Sequence, residues 1–318
     1  MCDGPRTTSR PPSVHNGEVV SREIQLSVVI ATTEPWPKSR ECLEILLPQI
    51  AGIDGEIVLG DSTGAGLPEP VPEHLTAVRW IKAPGASVFH LRAIGTSAAT
   101  GNIIAWTEDH CRPAADWCQK ILDAHSAHPE LAAIGGSMQN GSTTTAADWA
   151  NFLTTFGPFI APIDYAKTDR VPTPANISFK RRAIPPGEIG PGQIEFIVKP
   201  QLQRERSIGV DDRIVVRHVQ SRSFFESAAG HFHNGRSTSG LTASQLSRES
   251  RRQRLRHCFR LPRAIVKNVT EPLAGKTSVA EPLRRAMPAI RFFALCHAAG
   301  EFCGLAFRSA GSSPIRLE

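Results

Sequence analysis

The sequence predicts an α/β fold, a mostly parallel sheet flanked by helices with a helical extension at its C-terminal end. Two observations carry that prediction. Over the first two-thirds of the chain, short β-branched runs alternate with segments of helical period. Each run also ends in polar or turn-forming residues. Strands and helices alternating at this spacing build parallel sheets covered on both faces, which bind ligands at the carboxyl ends of their strands.

Taken in order, residues 24–31 (Ile-Gln-Leu-Ser-Val-Val-Ile-Ala) form the first expected strand. Residues 38–50 follow as a helix, with Cys42, Leu43, Leu46, Leu47 and Ile50 on one face. Residues 56–61 are a second strand ending in Asp61, and a Gly- and Pro-rich loop comes after it. Residues 77–82 read as a third strand and 87–100 as a helix. The fourth strand, 102–107, is broken at once by Glu108, Asp109 and His110. Helical spacing resumes over 114–125, and 131–137 is a further strand. Between 142 and 203 the pattern weakens, except for an apolar-polar run at 174–182 that includes Lys180, Arg181 and Arg182. Residues 214–218 form a last strand-like run ending in His218.

Charge and cysteine usage narrow the function classes. Of the net charge of +6, the excess sits in one segment: eight basic residues lie between Arg248 and Lys267 against one acid, Glu249. Phe259 is the only aromatic within it, so a nucleic-acid partner is not expected. The seven cysteines form no CxxC pair, which argues against a zinc ribbon or a disulfide framework and favours the cytoplasm. The opening residues carry Arg6, Arg10, Pro11 and Pro12 without an apolar run, so 1–23 is expected to be a disordered tail rather than a secretory signal. Residues 286–307 are apolar but contain Arg291, His297 and Glu301, charged and polar groups that disfavour a membrane span. With the basic segment before it, this stretch is expected to lie at an anionic membrane surface. A helical cap on the main domain, or a dimer contact, is the structural alternative.

The residues with chemical potential cluster at the ends of expected strands. Glu108, Asp109 and His110 follow a hydrophobic strand, where a divalent cation would account for two carboxylates and an imidazole. The competing reading is a solvated loop in which Asp109 caps the next helix. Asp61 is either an acceptor for a nucleobase or ribose, or a turn residue in Asp-Ser-Thr-Gly. His218 is a ligand or a satisfied structural histidine. Lys180 and Arg181 could grip phosphate, and Glu188 and Glu195 are the acids placed to act as a general base.

The order of these signals resembles the family 2 glycosyltransferases, which have the GT-A fold. The likeness runs from about Leu26 to about Gly240. Leu-Ser-Val-Val-Ile-Ala-Thr32 is similar to the family's first strand, whose following loop contacts the nucleotide. Glu-Ile-Val-Leu-Gly-Asp61 is similar to the second, and Ile103-Ile-Ala-Trp-Thr-Glu108-Asp109-His110 to the metal-binding DxD strand. Pro174-Ala-Asn176-Ile-Ser-Phe179-Lys-Arg181 resembles the acceptor-side strand, Val216-Arg-His218 a late strand ending in histidine, and His231 to Ser237 a late His-Gly-Arg-Ser element.

The resemblance implies a GT-A domain over 24–240 and a basic, amphipathic helical region over 241–318. It implies a nucleoside-diphosphate-sugar donor contacted by Thr32, Glu34, Asp61, Arg92, Glu108, Asp109, Lys180 and Arg181. A divalent cation (Mn or Mg) would be held by Glu108, His110 and His218, with Glu195 or Glu188 as base. The acceptor would be a lipid-linked or surface glycan, reached from the cytoplasmic side of a membrane. In place of the family's DxD stand Glu108-Asp109-His110, and its Glu-Asp base pair is absent. A nucleotidyltransferase on a similar sheet, and a non-catalytic membrane-associated sugar-nucleotide-binding protein, are the rival readings.

Overall fold

The structure is a computed structural model and describes residues 23–67, 71–163, 171–243 and 246–309. The expected N-terminal tail lies outside the described residues, apart from Glu23.

Eight strands form one mixed sheet: β1 (Leu26–Thr32), β2 (Gly55–Asp61), β3 (Val78–Lys82), β4 (Ile103–Glu108), β5 (Cys111–Pro113), β6 (Ala133–Asn140), β7 (Ile177–Lys180) and β8 (Ile208–His218). Their spatial order is β3-β2-β1-β4-β7-β6-β8-β5. The pairings β1–β2, β1–β4, β2–β3 and β6–β8 are parallel, while β7 runs antiparallel to both β4 and β6. Seven strands coincide with expected runs. The short strand β5 carries no periodic signal; it pairs antiparallel with β8 through Cys111 and His218.

Helices cover both faces. They are α1 (Arg40–Ala51), α2 (Val88–Ala98), α3 (Trp117–Ala127), α4 (Ala146–Phe156), α5 (Lys199–Arg204), α6 (Phe224–Thr242), α7 (Arg248–His257), α8 (Leu261–Thr270) and α9 (Ala280–Phe307). Strand alternation divides the core. Leu26, Val28 and Ile30 face a large cluster with α1, α3, α4 and α9, whereas Val29, Val58, Ile104 and Trp106 face a second cluster beneath α2.

The C-terminal helices share the larger core: Ile290 and Phe293 of α9 are fully buried in it, together with Val269 of α8. Glycines set how closely α9 approaches α6. A Cβ on Gly300 would strike the Phe232 carbonyl, and one on Gly304 the Arg236 carbonyl. Among the described residues one helical stretch, Thr277–Phe307, is long and apolar enough to cross a membrane, with mean hydropathy 1.3 over its best window and 39% of that window buried.

Candidate active site

Three neighbouring parallel strands deliver their carboxyl ends to one rim: Thr32 lies beside Asp61, and Ala31 beside Glu108. The chain then turns at Asp109 and His110 and crosses to β8 as β5. That crossing carries His110 to the end of β8, where the Val219 N–H donates to the His110 carbonyl. Asp109 therefore caps no helix; α3 begins later, after Asp116.

Glu108, His110 and His218 point their donor atoms at one another. The Nε2 atoms of the two histidines are 2.8 Å apart, and each lies 3.5 Å from Glu108 Oε2. All three are largely shielded from solvent, and the Phe156 ring lies against His218 at 4.5 Å between centroids. Two ring nitrogens can share such a short contact only with a proton or a cation between them. The electrostatics divide accordingly. Burial lowers the His110 pKa, but its hydrogen bond to Asp109 and the charges of Glu108 and Asp109 raise it overall. His218 is lowered, by burial first and by the neighbouring His110 charge. For Glu108, burial is outweighed by the His218 hydrogen bond and by the charges of His110 and Arg92, leaving its pKa at about 2.

The residues fit a divalent transition cation. Two imidazole nitrogens and one carboxylate oxygen lie within 4.8 Å of one another, and imidazole nitrogens are donors that suit first-row transition metals. The surrounding shell is also in place. Asp109 is turned inward: its Oδ1 lies 2.6 Å from His110 Nδ1, and its Oδ2 accepts from the Thr32 hydroxyl at 2.6 Å. A carboxylate on Nδ1 fixes the tautomer that leaves Nε2 free to ligate.

Behind the cluster, Arg92 of α2 is buried and joins two acids. Its guanidinium donates to Glu108 Oε1 at 2.9 Å and lies 3.6 Å from Glu195 Oε1. Glu195 sits in a π-helical turn, Ile194–Val198, just before α5. Burial raises its pKa, with the Arg92 charge partly offsetting the rise. Lys199 is also buried here and was not expected; its ammonium donates to the Pro172 carbonyl at 2.7 Å. Burial, reinforced by the Arg92 charge, lowers its pKa to about 7. Its only sequence signal is a lysine inside an apolar run, Ile197-Val198-Lys199-Pro200.

Other expected site residues lie elsewhere or are otherwise engaged. Asp61 reaches the rim, but its carboxylate accepts from the Thr63 N–H and hydroxyl, the Gly66 N–H and the Trp80 indole, which fills its acceptor positions. It shapes the loop after β2, where Gly64 and Gly66 adopt positive φ, rather than offering a free acceptor. The carbonyl of Glu34 lies 2.9 Å from the Thr32 hydroxyl oxygen, whose proton is directed to Asp109, and the Glu34 carboxylate pairs with Lys38. Lys180 and Arg181 are at the opposite rim, because β7 runs antiparallel to β4 and sets Lys180 beside Ile103. Their side chains donate to main-chain carbonyls, Lys180 to His128 and Pro129 and Arg181 to Gly101 and Ala99. Glu188 is exposed in a loop whose Ile189 N–H bonds Ser97. The stretch from His231 to Ser237 is helical, within α6, and His231 meets Asn151 of α4.

No family model matches the sequence, and no curated protein matches it. Among solved structures, the chain is similar to a mannosyltransferase from Pyrobaculum calidifontis in complex with GDP-Man and Mn2+, at 14% identity, 88% of each chain and a TM-score of 0.49. It is also similar to residues 1–349 of S. aureus TarS, at 11% identity, 91% of this chain, 90% of that chain and a TM-score of 0.41. A third similar structure is glucosyl-3-phosphoglycerate synthase from Mycobacterium tuberculosis with phosphoglyceric acid, at 13% identity, 64% of this chain, 75% of that chain and a TM-score of 0.42.

Proposed function

We propose that the chain is a GT-A-type glycosyltransferase that moves a sugar from a nucleoside-diphosphate sugar to an acceptor hydroxyl. The observation that supports this most is the meeting of Glu108, His110 and His218 at the carboxyl-end rim of the sheet, with Thr32 and Asp61 on adjoining strands. A cation held there, manganese in preference to magnesium, would neutralise charge on the diphosphate leaving group. Thr32 and the loop framed by Asp61 lie on the nucleotide side. Glu195 is the base: burial raises its pKa, which makes its carboxylate a stronger proton acceptor. Attack in line on the anomeric carbon would invert its configuration. Arg92 holds Glu195 and Glu108 in fixed relation. The acceptor is a lipid-linked or surface glycan, met from the cytoplasmic side of an anionic membrane.

Turnover of UDP- and GDP-sugars with Mn2+, with and without chelator, tests this reading. Donor consumption is expected with manganese, to be lost on chelation and in His110→Ala. Thermal stabilisation by a sugar nucleotide without turnover would identify a binding protein instead. Absence of any such stabilisation would sink the assignment.

A further inference from the structure

The outward face of α9 is apolar from Phe292 to Ala306, and the first turns of the helix expose Glu281, Arg284, Arg285 and Arg291 on the same side. Pro288, Phe292, Leu295, Ala299, Phe302 and Ala306 recur at helical spacing, and all are exposed. The large side chains among them are well out in solvent, Leu295 at 57% and Phe302 at 41%. Aromatic contacts extend the stripe at both ends. At one end Phe292 stacks on Phe224, which touches Phe225, itself 82% exposed. At the other, Phe302 meets Phe259, 80% exposed, at the end of α7. Contiguous exposed apolar surface of this kind marks an interaction site.

The border of the stripe is strongly basic. Arg248, Arg252 and Arg256 follow one another at four-residue intervals on α7, leading to Phe259, and all are exposed. Among the described residues none of these three arginines has an ion-pair partner. The opposite face of α9 is fixed to the protein: Ile290 and Phe293 are in the main core, and Gly300 and Gly304 lie against the α6 backbone. A helix clamped on one side and bare on the other cannot span a bilayer without leaving its own core, but it can lie in the plane of one.

We propose that this face binds the surface of an anionic phospholipid bilayer. Phe225, Phe259, Phe302 and Leu295 enter the headgroup boundary, and the arginines of α7 contact lipid phosphates. A second copy of the chain offers the same uncompensated positive charge, whereas an anionic bilayer offers its complement. The inference gives the membrane contact of the proposed function a surface, yet it depends on that surface alone and stands whatever reaction the strand-end cluster performs.

Co-sedimentation of the full chain with vesicles tests it. Binding is expected to vesicles of phosphatidylglycerol and phosphatidylcholine in equal parts, to weaken as salt is raised, and to be absent with phosphatidylcholine alone. Phe259→Ser/Phe302→Ser and Arg252→Glu/Arg256→Glu should each reduce bound protein about tenfold. Both pairs should leave the melting temperature and sugar-nucleotide binding unchanged, which separates loss of the surface from loss of the fold or the site. Equal binding to uncharged vesicles, or wild-type binding by both double variants, overturns the proposal. So does a light-scattering dimer that Phe259→Ser/Phe302→Ser dissociates while the wild type ignores vesicles.

Discussion

His110 and His218 lie 108 residues apart in the chain, yet their Nε2 atoms meet at 2.8 Å. The contact exists because β5 pairs with β8, and it is oriented because Asp109 holds the other nitrogen of His110. Asp109→Asn keeps the shape and removes the charge that fixes the ring. Manganese affinity, measured by calorimetric titration of the metal alone, is expected to fall about 10–100-fold, the usual cost of losing an outer-shell partner. His218→Ala should abolish the titration altogether. An unchanged isotherm in both variants would refute the metal site.

Arg92, itself buried, stands between two largely shielded acids, Glu108 and Glu195. Arg92→Met would leave Glu195 without its nearest cation and Glu108 with only the two histidines, at a cost approaching that of a broken buried pair, about 3–5 kcal/mol. Urea unfolding at neutral pH measures the loss. The deficit should shrink as pH falls, because the stranded carboxylates can then escape their charge by binding protons. A deficit independent of pH would point to lost packing against Trp106, over whose ring the guanidinium sits at 5.8 Å.

The sequence made the β-branched strands and the rim residues legible, because buried runs and the polar residues that end them are local signals. What it concealed was direction and long-range pairing. Lys180 and Arg181 read as site residues since periodicity is blind to strand sense; β7 runs antiparallel and delivers them to the far rim. The three-residue β5 has no pattern of its own, and only its partner β8 makes it a strand. The helices α4 and α6 are settled by packing on α9 more than by propensity, and Gly230 and Gly235 within α6 weaken its local signal.

A pH dependence of stability follows from His125. It is buried on α3, Nε2 lies 2.9 Å from the Ser178 hydroxyl, and burial lowers its pKa to about 4. The unfolded chain binds this proton near pH 6.5 and the folded chain only near 4, so stability is retained above 6.5 and lost as pH falls through that window. The loss from this residue is of order 3 kcal/mol. Urea midpoints at pH 7 and pH 4.5 should show His125→Gln with the shallower fall. His231, held at about 4 by burial, acts in the same sense and keeps part of the slope in that variant.

Asn176 is a structural lock under the site. It is buried, its amide N–H groups donate to the Ser137 and Ile214 carbonyls at 2.9 Å each, and its carbonyl accepts from the Trp117 indole at 2.9 Å. It bridges β6 and β8 where their register shifts between Gly136 and Ser137, and a Cβ on Gly136 would collide with it. Asn176→Ala strands two carbonyls and one indole N–H at once, so a loss of about 3 kcal/mol or more is expected in urea unfolding. Trp117→Phe alone removes only the indole partner. If the bond matters as a bond, Trp117→Phe should cost less in the Asn176→Ala background than in the wild type. Equal costs would assign the effect of Asn176 to the strand carbonyls, and to the register they hold beneath His218.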